Sequence, residues 1–266
     1  MTRICVAGAC GRMGQRILEL AAGDAGVAIG GAVDAPENAG AVLRPGAESG
    51  CPQDVTVSES IGAVLEGCDA LIDFTEASVC LANAEAAARA GLPVVVGTTG
   101  LGEQDVSRLR ELARSVAIVH APNMSVGVNL LFQLTAQTAK RLGLDYNVEI
   151  VEIHHNQKKD SPSGTAARLA ECAAEGLGLD AREAAVHGRQ GLVGARPERE
   201  IGVHALRGGD VAGEHTVVFA GQGERLELTH RAHNRDNFAR GALRAAVFAA
   251  TAAPGYYDMQ DVLGLR

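Results

Sequence analysis

Short, nearly continuous apolar runs alternate along the first half of this chain with stretches whose apolar residues recur every three or four positions. Residues 3–7, 27–33, 70–74, 93–97 and 116–120 are the runs. Residues 15–22, 77–89 and 103–114 carry the helical period. Strands buried on both faces read as unbroken apolar runs, and strand–helix alternation predicts a parallel sheet with helices on both sides. Residues 35–54, rich in Gly, Pro and Ala, interrupt the alternation and read as a surface excursion. From 126 to 142 a long amphipathic pattern marks the passage into a second region. There the pattern changes: strand-like segments at 147–153, 200–206, 214–220 and 225–231 alternate or are joined by short turns such as Gly221-Gln222-Gly223, which suits an antiparallel or mixed sheet. A helix is expected to begin between 163 and 166 and run to 176. Residues 181–196 read as loop, with Arg189 and Arg196 either solvated or available to a dianion. A last helix spans 238–252, capped by Asn234 or Asp236, and an apolar docking segment without chemistry of its own follows at 256–263.

Two stretches carry candidate chemistry. The first is the turn Gly8-Ala9-Cys10-Gly11-Arg12-Met13-Gly14 between a strand and a helix, with Asp34 ending the next strand 20 residues beyond Gly14. In a βαβ unit such a turn brings a pyrophosphate to a helix N-terminus, and an acid at this distance can hydrogen-bond ribose hydroxyls. The spacing is G-x-x-G-x-x-G, with Cys10 where a middle glycine is common. A glycine turn without a ligand is the plainer alternative. A carboxylate at 34 disfavours a 2′-phosphate, although Arg12 could serve one. At the carboxyl ends of later strands lie Gly97-Thr98-Thr99 and Ala121-Pro122-Asn123-Met124, which are ordinary turns if they bind nothing.

The second stretch is Glu152-Ile-His-His-Asn-Gln-Lys-Lys-Asp-Ser-Pro-Ser-Gly-Thr165. Side chains alternate across a strand, so Glu152 and His154 share one face and Ile153 and His155 the other. Histidine titrates near neutrality and is the commonest general acid or base. Lys158 and Lys159 add cationic charge. Pro162 suits a helix start, and Ser163, Gly164 and Thr165 offer amides and hydroxyls to an anion there. The plainer alternatives are a helix cap and solvated turn histidines. Adjacent histidines on opposite faces make a poor chelate, and no zinc-type spacing accompanies them, so no metal is expected.

Composition narrows the field. Of 266 residues 47% are hydrophobic and 3% aromatic, with no Trp, so the core must be aliphatic and no base-stacking platform exists. The net charge of −8 argues against binding nucleic acid or an anionic membrane, and no apolar run has membrane-spanning length. The six cysteines follow no ladder or metal pattern and read as reduced thiols. With the first strand entered at Arg3 there is no room for a signal peptide, and a cytoplasmic location is expected.

The motif Glu152, His154, His155, Lys158, Asp160, Pro162, Ser163, Gly164, Thr165, Ala166 resembles the Glu-x-His-His-x-x-Lys-x-Asp-x-Pro-Ser-Gly-Thr-Ala signature of the dihydrodipicolinate (4-hydroxy-tetrahydrodipicolinate) reductase family. The resemblance spans essentially the whole chain, including the glycine loop, residues 97–100 and 121–127, and Arg207-Gly-Gly-Asp-Val-Ala-Gly-Glu-His215. It implies an α/β fold: a Rossmann-like parallel-sheet domain from residues 1–125 and 235–266, and a smaller α+β domain with an open mixed or antiparallel sheet, 126–234, for substrate binding and homotetramer assembly. It implies reduction of a cyclic imine dicarboxylate in diaminopimelate and lysine biosynthesis. His154 would be the general acid, aided by Lys158, while His155, Ser163, Gly164 and Thr165 hold substrate. Gly8, Ala9, Cys10, Gly11, Arg12, Met13 and Asp34 would hold the cofactor, with Gly97, Thr98, Thr99, Ala121, Pro122, Asn123, Met124, Arg235 and Phe238. The family often has arginine after its acid; here it is Ala35, which leans the expectation towards NADH over NADPH. Two rivals remain: another amino- or imino-acid dehydrogenase on a similar scaffold, such as an aspartate dehydrogenase, and a nucleotide-binding regulator without turnover.

Overall fold

A computed structural model describes residues 1–266 and divides into two compact units, Met1–Val126 with Arg235–Arg266, and Gly127–Asn234. In chain order the first unit opens with β1 (Thr2–Ala7), α1 (Arg12–Ala22), β2 (Val27–Val33), β3 (Val42–Leu43), β4 (Val55–Ser58) and α2 (Ile61–Val64). It continues with β5 (Ala70–Asp73), α3 (Ala77–Arg89), β6 (Val94–Val96), α4 (Glu103–Leu112) and β7 (Ala117–His120). Helix α5 (Val126–Leu142) leads into the second unit, which holds β8 (Asn147–His154), α6 (Gly164–Leu177), α7 (Ala181–Ala184), β9 (Ala185–His187), β10 (Ile201–Arg207), β11 (Gly213–Ala220) and β12 (Arg225–Ala232). The chain then returns to the first unit with α8 (Asp236–Ala249), β13 (Gly255–Tyr257) and α9 (Met259–Val262).

The first unit's sheet has the order β13-β7-β6-β5-β1-β2-β4-β3 and is parallel except where β3 meets β4. Successive residues of each strand feed opposite faces. Ile4, Val6, Ile72, Val95 and Val119 pack with α1 and α8, and Cys5, Leu71, Val94, Val96 and Ile118 pack with α3 and α4. The order runs outward from β1 in both directions, a switch point where open α/β sheets leave a crevice at the strand carboxyl ends. Gly8, Phe74 and Thr98 all lie there.

The second unit's sheet, β12-β11-β8-β10-β9, is mixed: β8, β10 and β9 are parallel, while β11 and β12 run antiparallel. Its inner face, including Val148, Ile150, Val203, Val217 and Phe219, packs against Leu131 and Phe132 of α5 and Leu169 and Ala173 of α6. The same face of β8 continues through Glu152 to His154, so the apolar stripe turns ionic at the strand end.

Several expectations are corrected. Helix α1 begins at Arg12, not Gln15, because Gly11 turns the loop directly into helix as its N-cap. Residues 55–58 and 61–64 form a strand and a short helix that the pattern did not announce. Residues 181–196 are not all loop: Asp180 caps α7, and β9 joins the sheet edge. Arg235 occupies the N-cap position of α8 with no side-chain cap bond, and the Asp236 carboxylate, in the first turn, is taken by Arg16 Nε at 2.5 Å and Nη2 at 2.7 Å. The tail is more than a docking segment, since β13 pairs with β7 as the sheet's last strand.

Candidate functional site

In the first unit the loop after β1 is built to bring backbone close to a ligand. Gly8 has φ +79°, and a Cβ there would overlap the backbone of Phe74. At Gly14 a Cβ would lie 2.7 Å from Ala9 Cα and nearer still to the Gly8 carbonyl oxygen, so α1 can sit against the loop only without a side chain. Gly11 caps α1 with no side-chain bond, leaving the helix start lined by backbone. Asp34 ends β2 and turns inward: Oδ2 accepts from the Cys10 amide at 2.7 Å, and Oδ1 accepts from Asn38 at 2.8 Å and the Ala35 amide at 2.9 Å. Burial opposes its charge, but the Cys10, Asn38 and Ala35 donors hold its carboxyl below the usual range. Asp34 therefore fixes the glycine loop as well as standing where a ribose acid stands. Burial and the neighbouring Arg12 charge both lower the basicity of Arg235, so two guanidinium groups stand near each other, one helical turn from Phe238. A backbone cradle that any Cβ would fill, an acid after the second strand and clustered cations fit a dinucleotide.

The later turns split. Thr98 is buried, and its hydroxyl donates to Asp73 Oδ1 at 2.7 Å; Thr99 is exposed. Ala121 and Met124 are buried, Pro122 is exposed, and Asn123 Oδ1 accepts from the Ser125 amide. The reading of the sequence missed Asp73. Fully buried at the end of β5, it also accepts from Asn83 at 2.8 Å and from the Thr75 hydroxyl at 2.8 Å, tying both loops together. An acid closing an apolar run was the available signal.

In the second unit the strand-face argument holds: Glu152 Oε2 meets His154 Nδ1 at 2.5 Å. The Glu152 side chain is fully buried, and its Oε1 accepts from the Ser163 amide at 3.0 Å. Arg207, at the end of β10, donates to both oxygens at 2.8 and 3.1 Å. Burial opposes the charge of Glu152, yet Arg207, His154 and the Ser163 amide keep its carboxyl below the usual range. An ionised carboxylate only accepts, so Nδ1 of His154 carries a proton and Nε2 is the nitrogen left for chemistry. Nε2 is uncovered by glycine: a Cβ at Gly213 would lie 2.9 Å from it. Burial lowers the pKa of His154 most, Glu152 opposes this, and Lys158 and Arg207 add to the lowering.

Beside it lies His215, 4% exposed, its ring edge-to-face with His154 at 5.1 Å and its Nε2 3.1 Å from Ser163 Oγ. Burial and the His154 charge push it down to about 3, and its Nδ1 has no partner. Ser163 caps α6, its hydroxyl accepting from the Ala166 amide at 3.1 Å. The Ser163 amide and hydroxyl have partners within the chain, and Gly164, exposed, and Thr165, half-buried, stand beside it at the helix mouth. Lys158 pairs with Asp160 at 2.8 Å; His155 stands past the strand, held by its amide to the Val211 carbonyl at 2.8 Å. The reading of Arg189 and Arg196 is corrected. Both bind Glu149, at 2.7 and 2.8 Å, and His204 joins them at 2.7 Å, so both are engaged in ion pairs although Arg189 stays exposed. Burial opposes the charge of Glu149, but these three partners bring its carboxyl down to about 2. No three His, Cys, Asp or Glu side chains converge as metal ligands, and the six cysteines are free thiols.

The family profile described as "Dihydrodipicolinate reductase, N-terminus" matches residues 2–124, and "Dihydrodipicolinate reductase, C-terminus" matches residues 127–263. This chain belongs to the dihydrodipicolinate reductase family. It is 51% identical to the 4-hydroxy-tetrahydrodipicolinate reductase of Geobacter sulfurreducens over all of both chains. It is also 51% identical to that of an Anaeromyxobacter species, covering all of this chain and 99% of the other. A dipicolinate-bound dihydrodipicolinate reductase from Paenisporosarcina sp. TG-14 shares the fold, with a TM-score of 0.77, 22% identity and 98% of each chain covered. The N-terminal profile lies within the parallel-sheet unit, while the C-terminal profile covers the mixed-sheet unit and continues into the closing segment that returns to the parallel-sheet unit. Glu152, Arg207 and His215, given no role from the sequence, belong to the same charged cluster as His154.

Proposed function

We propose that this chain reduces 4-hydroxy-tetrahydrodipicolinate, through dihydrodipicolinate formed by loss of water, to tetrahydrodipicolinate in diaminopimelate and lysine biosynthesis. Membership of the family supports the reaction class. The single observation in the chain that supports the chemistry is the Glu152–His154 pair beside the N-terminus of α6. When bound, a nicotinamide cofactor would supply a hydride to the conjugated imine, and the electron-rich enamine carbon that results would need a proton. His154 Nε2 delivers that proton once the site is charged, and Lys158 assists by its positive charge. A free site keeps His154 neutral because it is largely enclosed; a dianionic substrate reverses that balance by favouring the imidazolium. Gly164 and Thr165 receive a carboxylate on the backbone at the start of α6, while His155 touches the substrate and Ser163 holds the helix end in place. A monocarboxylate would leave part of this cationic pocket unmet, which supports selection of a dicarboxylate.

The cofactor reading leans towards NADH. Residues 8–13 receive the pyrophosphate, Asp34 the ribose hydroxyls, and Ala35 offers no cation to a 2′-phosphate. Residues 97–99 and 121–124, with Arg235 and Phe238, line the nicotinamide half. The second unit's open sheet presents Leu206 and Leu226, 46% and 44% exposed, and is the proposed surface of a homotetramer. No helix is long and apolar enough to cross a membrane, and a cytoplasmic location fits a biosynthetic enzyme.

The test generates the labile substrate in place, from pyruvate and aspartate semialdehyde with the synthase that condenses them, and follows nicotinamide absorbance with NADH and NADPH in parallel. Oxidation dependent on the synthase and strongly slowed in His154→Gln is expected, faster with NADH. Cofactor binding without oxidation would reject the substrate assignment and favour a regulator; oxidation with aspartate-like amino acids instead would favour the dehydrogenase rival.

A further inference from the structure

We infer that Glu152 is the positioning residue of the proton donor: its buried carboxylate orients His154 and, through its second oxygen, sets that imidazole against the helix start that receives the substrate carboxylate. The inference rests on the reading of His154 as proton donor and adds a residue to it.

The sequence pattern poses the question. Val148 and Ile150 point into the apolar interior of the second unit, and the next residue on that face, Glu152, is charged and fully buried. Burying an ion pair seldom stabilises a fold relative to apolar residues of similar volume. A residue placed for stability alone would have continued the stripe. Arg207 does not account for Glu152 by itself. One oxygen, Oε2, is divided between Arg207 Nη1 at 2.8 Å and His154 Nδ1 at 2.5 Å, and the other, Oε1, between Arg207 Nη2 at 3.1 Å and the Ser163 amide at 3.0 Å. Arg207 Nη2 in turn donates to the Asp160 carbonyl at 2.7 Å, in the loop that carries Lys158. One carboxylate thus fixes three things in a single frame: the tautomer of His154, the entry to α6, and the guanidinium that holds the intervening loop. A carboxylate behind an imidazole performs this task in many acid–base sites, where it keeps the proton on the rear nitrogen and favours the imidazolium.

The groups that face His154 come from every neighbouring element. They are Glu152 on its own strand, Lys158 from the following loop, Arg207 from β10 and His215 from β11, with His230 of β12 acting on His215 behind it. Only Glu152 is anionic. This permits a test with opposite signs. Removing the carboxylate charge in Glu152→Gln should lower the pH at which His154 titrates. Removing the competing cation in Arg207→Gln should raise it. A residue that merely holds the fold together would move both in one direction or neither.

The experiment labels the histidines of the whole protein with 13C and 15N and follows each imidazole by NMR across pH, with His154→Gln identifying the signal. The expected wild-type signal is the neutral Nδ1-protonated tautomer; in Glu152→Gln it loses that preference and its midpoint falls, while in Arg207→Gln its midpoint rises. In the coupled assay Glu152→Gln should lose turnover on the order of 10²-fold, its alkaline limb displaced the same way, with KM for the dicarboxylate changed far less. An unchanged tautomer and midpoint in both variants overturns the inference, as does movement in the same direction. If Glu152→Gln does not fold, the wild-type tautomer decides: a neutral imidazole protonated on Nδ1 supports the inference, and one protonated on Nε2 overturns it. Should the wild type fail to reduce the proposed substrate, the functional reading fails while the NMR result still decides whether Glu152 orients His154.

Discussion

Gly14→Ala separates a tight loop–helix contact from ordinary helix energetics. In an open helix this exchange stabilises by about 1 kcal/mol, because glycine loses the most backbone freedom on folding. At Gly14 the added methyl would lie 2.7 Å from Ala9 Cα and 2.8 Å from the Gly8 carbonyl carbon. All of these atoms are backbone, and Gly8 is fixed by its amide to the Val33 carbonyl at 2.9 Å, so no side chain can swing away. Overpacking of this kind costs roughly 1–3 kcal/mol, and with contacts this short the upper end applies. Set against the helix gain, the net expectation is a loss of about 1–2 kcal/mol of stability. The same displacement separates the loop from the start of α1, so NADH affinity should fall by about tenfold or more. Gly62→Ala is the control. Gly62 also lies in a helix, α2, but a Cβ there meets nothing within 4 Å, and the variant should be as stable as the parent or up to about 1 kcal/mol more so. Urea denaturation measures the stabilities, and quenching or transfer of nicotinamide fluorescence measures binding. A Gly14→Ala protein as stable as Gly62→Ala, with unchanged NADH affinity, would refute the close-contact argument.

His154→Gln should lower kcat by roughly 10²–10⁴ with KM little altered, measured in the coupled assay; a change confined to KM would make it a binding residue. Asp34→Ala should weaken NADH more than NADPH and also lower thermal stability, because the Cys10 amide loses its acceptor; equal weakening of both cofactors would leave Asp34 only its loop-holding part. The pH dependence of stability should carry the mark of His215, whose pKa is pushed from the ordinary imidazole value of 6.5 down to about 3 by burial on folding. The unfolded chain binds the extra proton, so stability is complete above about 6.5 and declines as pH falls towards 3, by at most about 1.4 kcal/mol per pH unit from this one group. His215→Gln should flatten that part of a urea-denaturation series against pH, and an unchanged slope would show that His215 does not stay neutral in the folded chain.

The alternation of apolar runs with helical periods was enough to predict the parallel sheet, because a strand buried on both faces leaves no room for polar residues. The glycine loop was equally legible, since Gly8 and Gly14 are demanded by backbone geometry that no other residue meets. The face-sharing of Glu152 and His154 followed from strand period alone. Short or edge elements escaped: β4, α7, β9 and β13 are three or four residues of regular structure, too short to show a period; the three strands exist because a neighbouring strand offers them hydrogen bonds, and α7 because Asp180 caps it. Partnerships across distant segments escaped as well. Arg207 meets Glu152 from 55 residues away, His215 meets Ser163 from 52, and Asp73 meets Thr98 from 25. No local pattern encodes such pairs. Arg189 and Arg196 likewise looked solvated until β8 placed Glu149 between them. Local sequence determined which residues carry charge, turn or cap, because those depend on backbone and side-chain chemistry within a few positions. Tertiary structure alone decided which charges neutralise one another and which imidazole nitrogen is left facing outward, because burial and proximity across strands set the protonation of every group in the cluster.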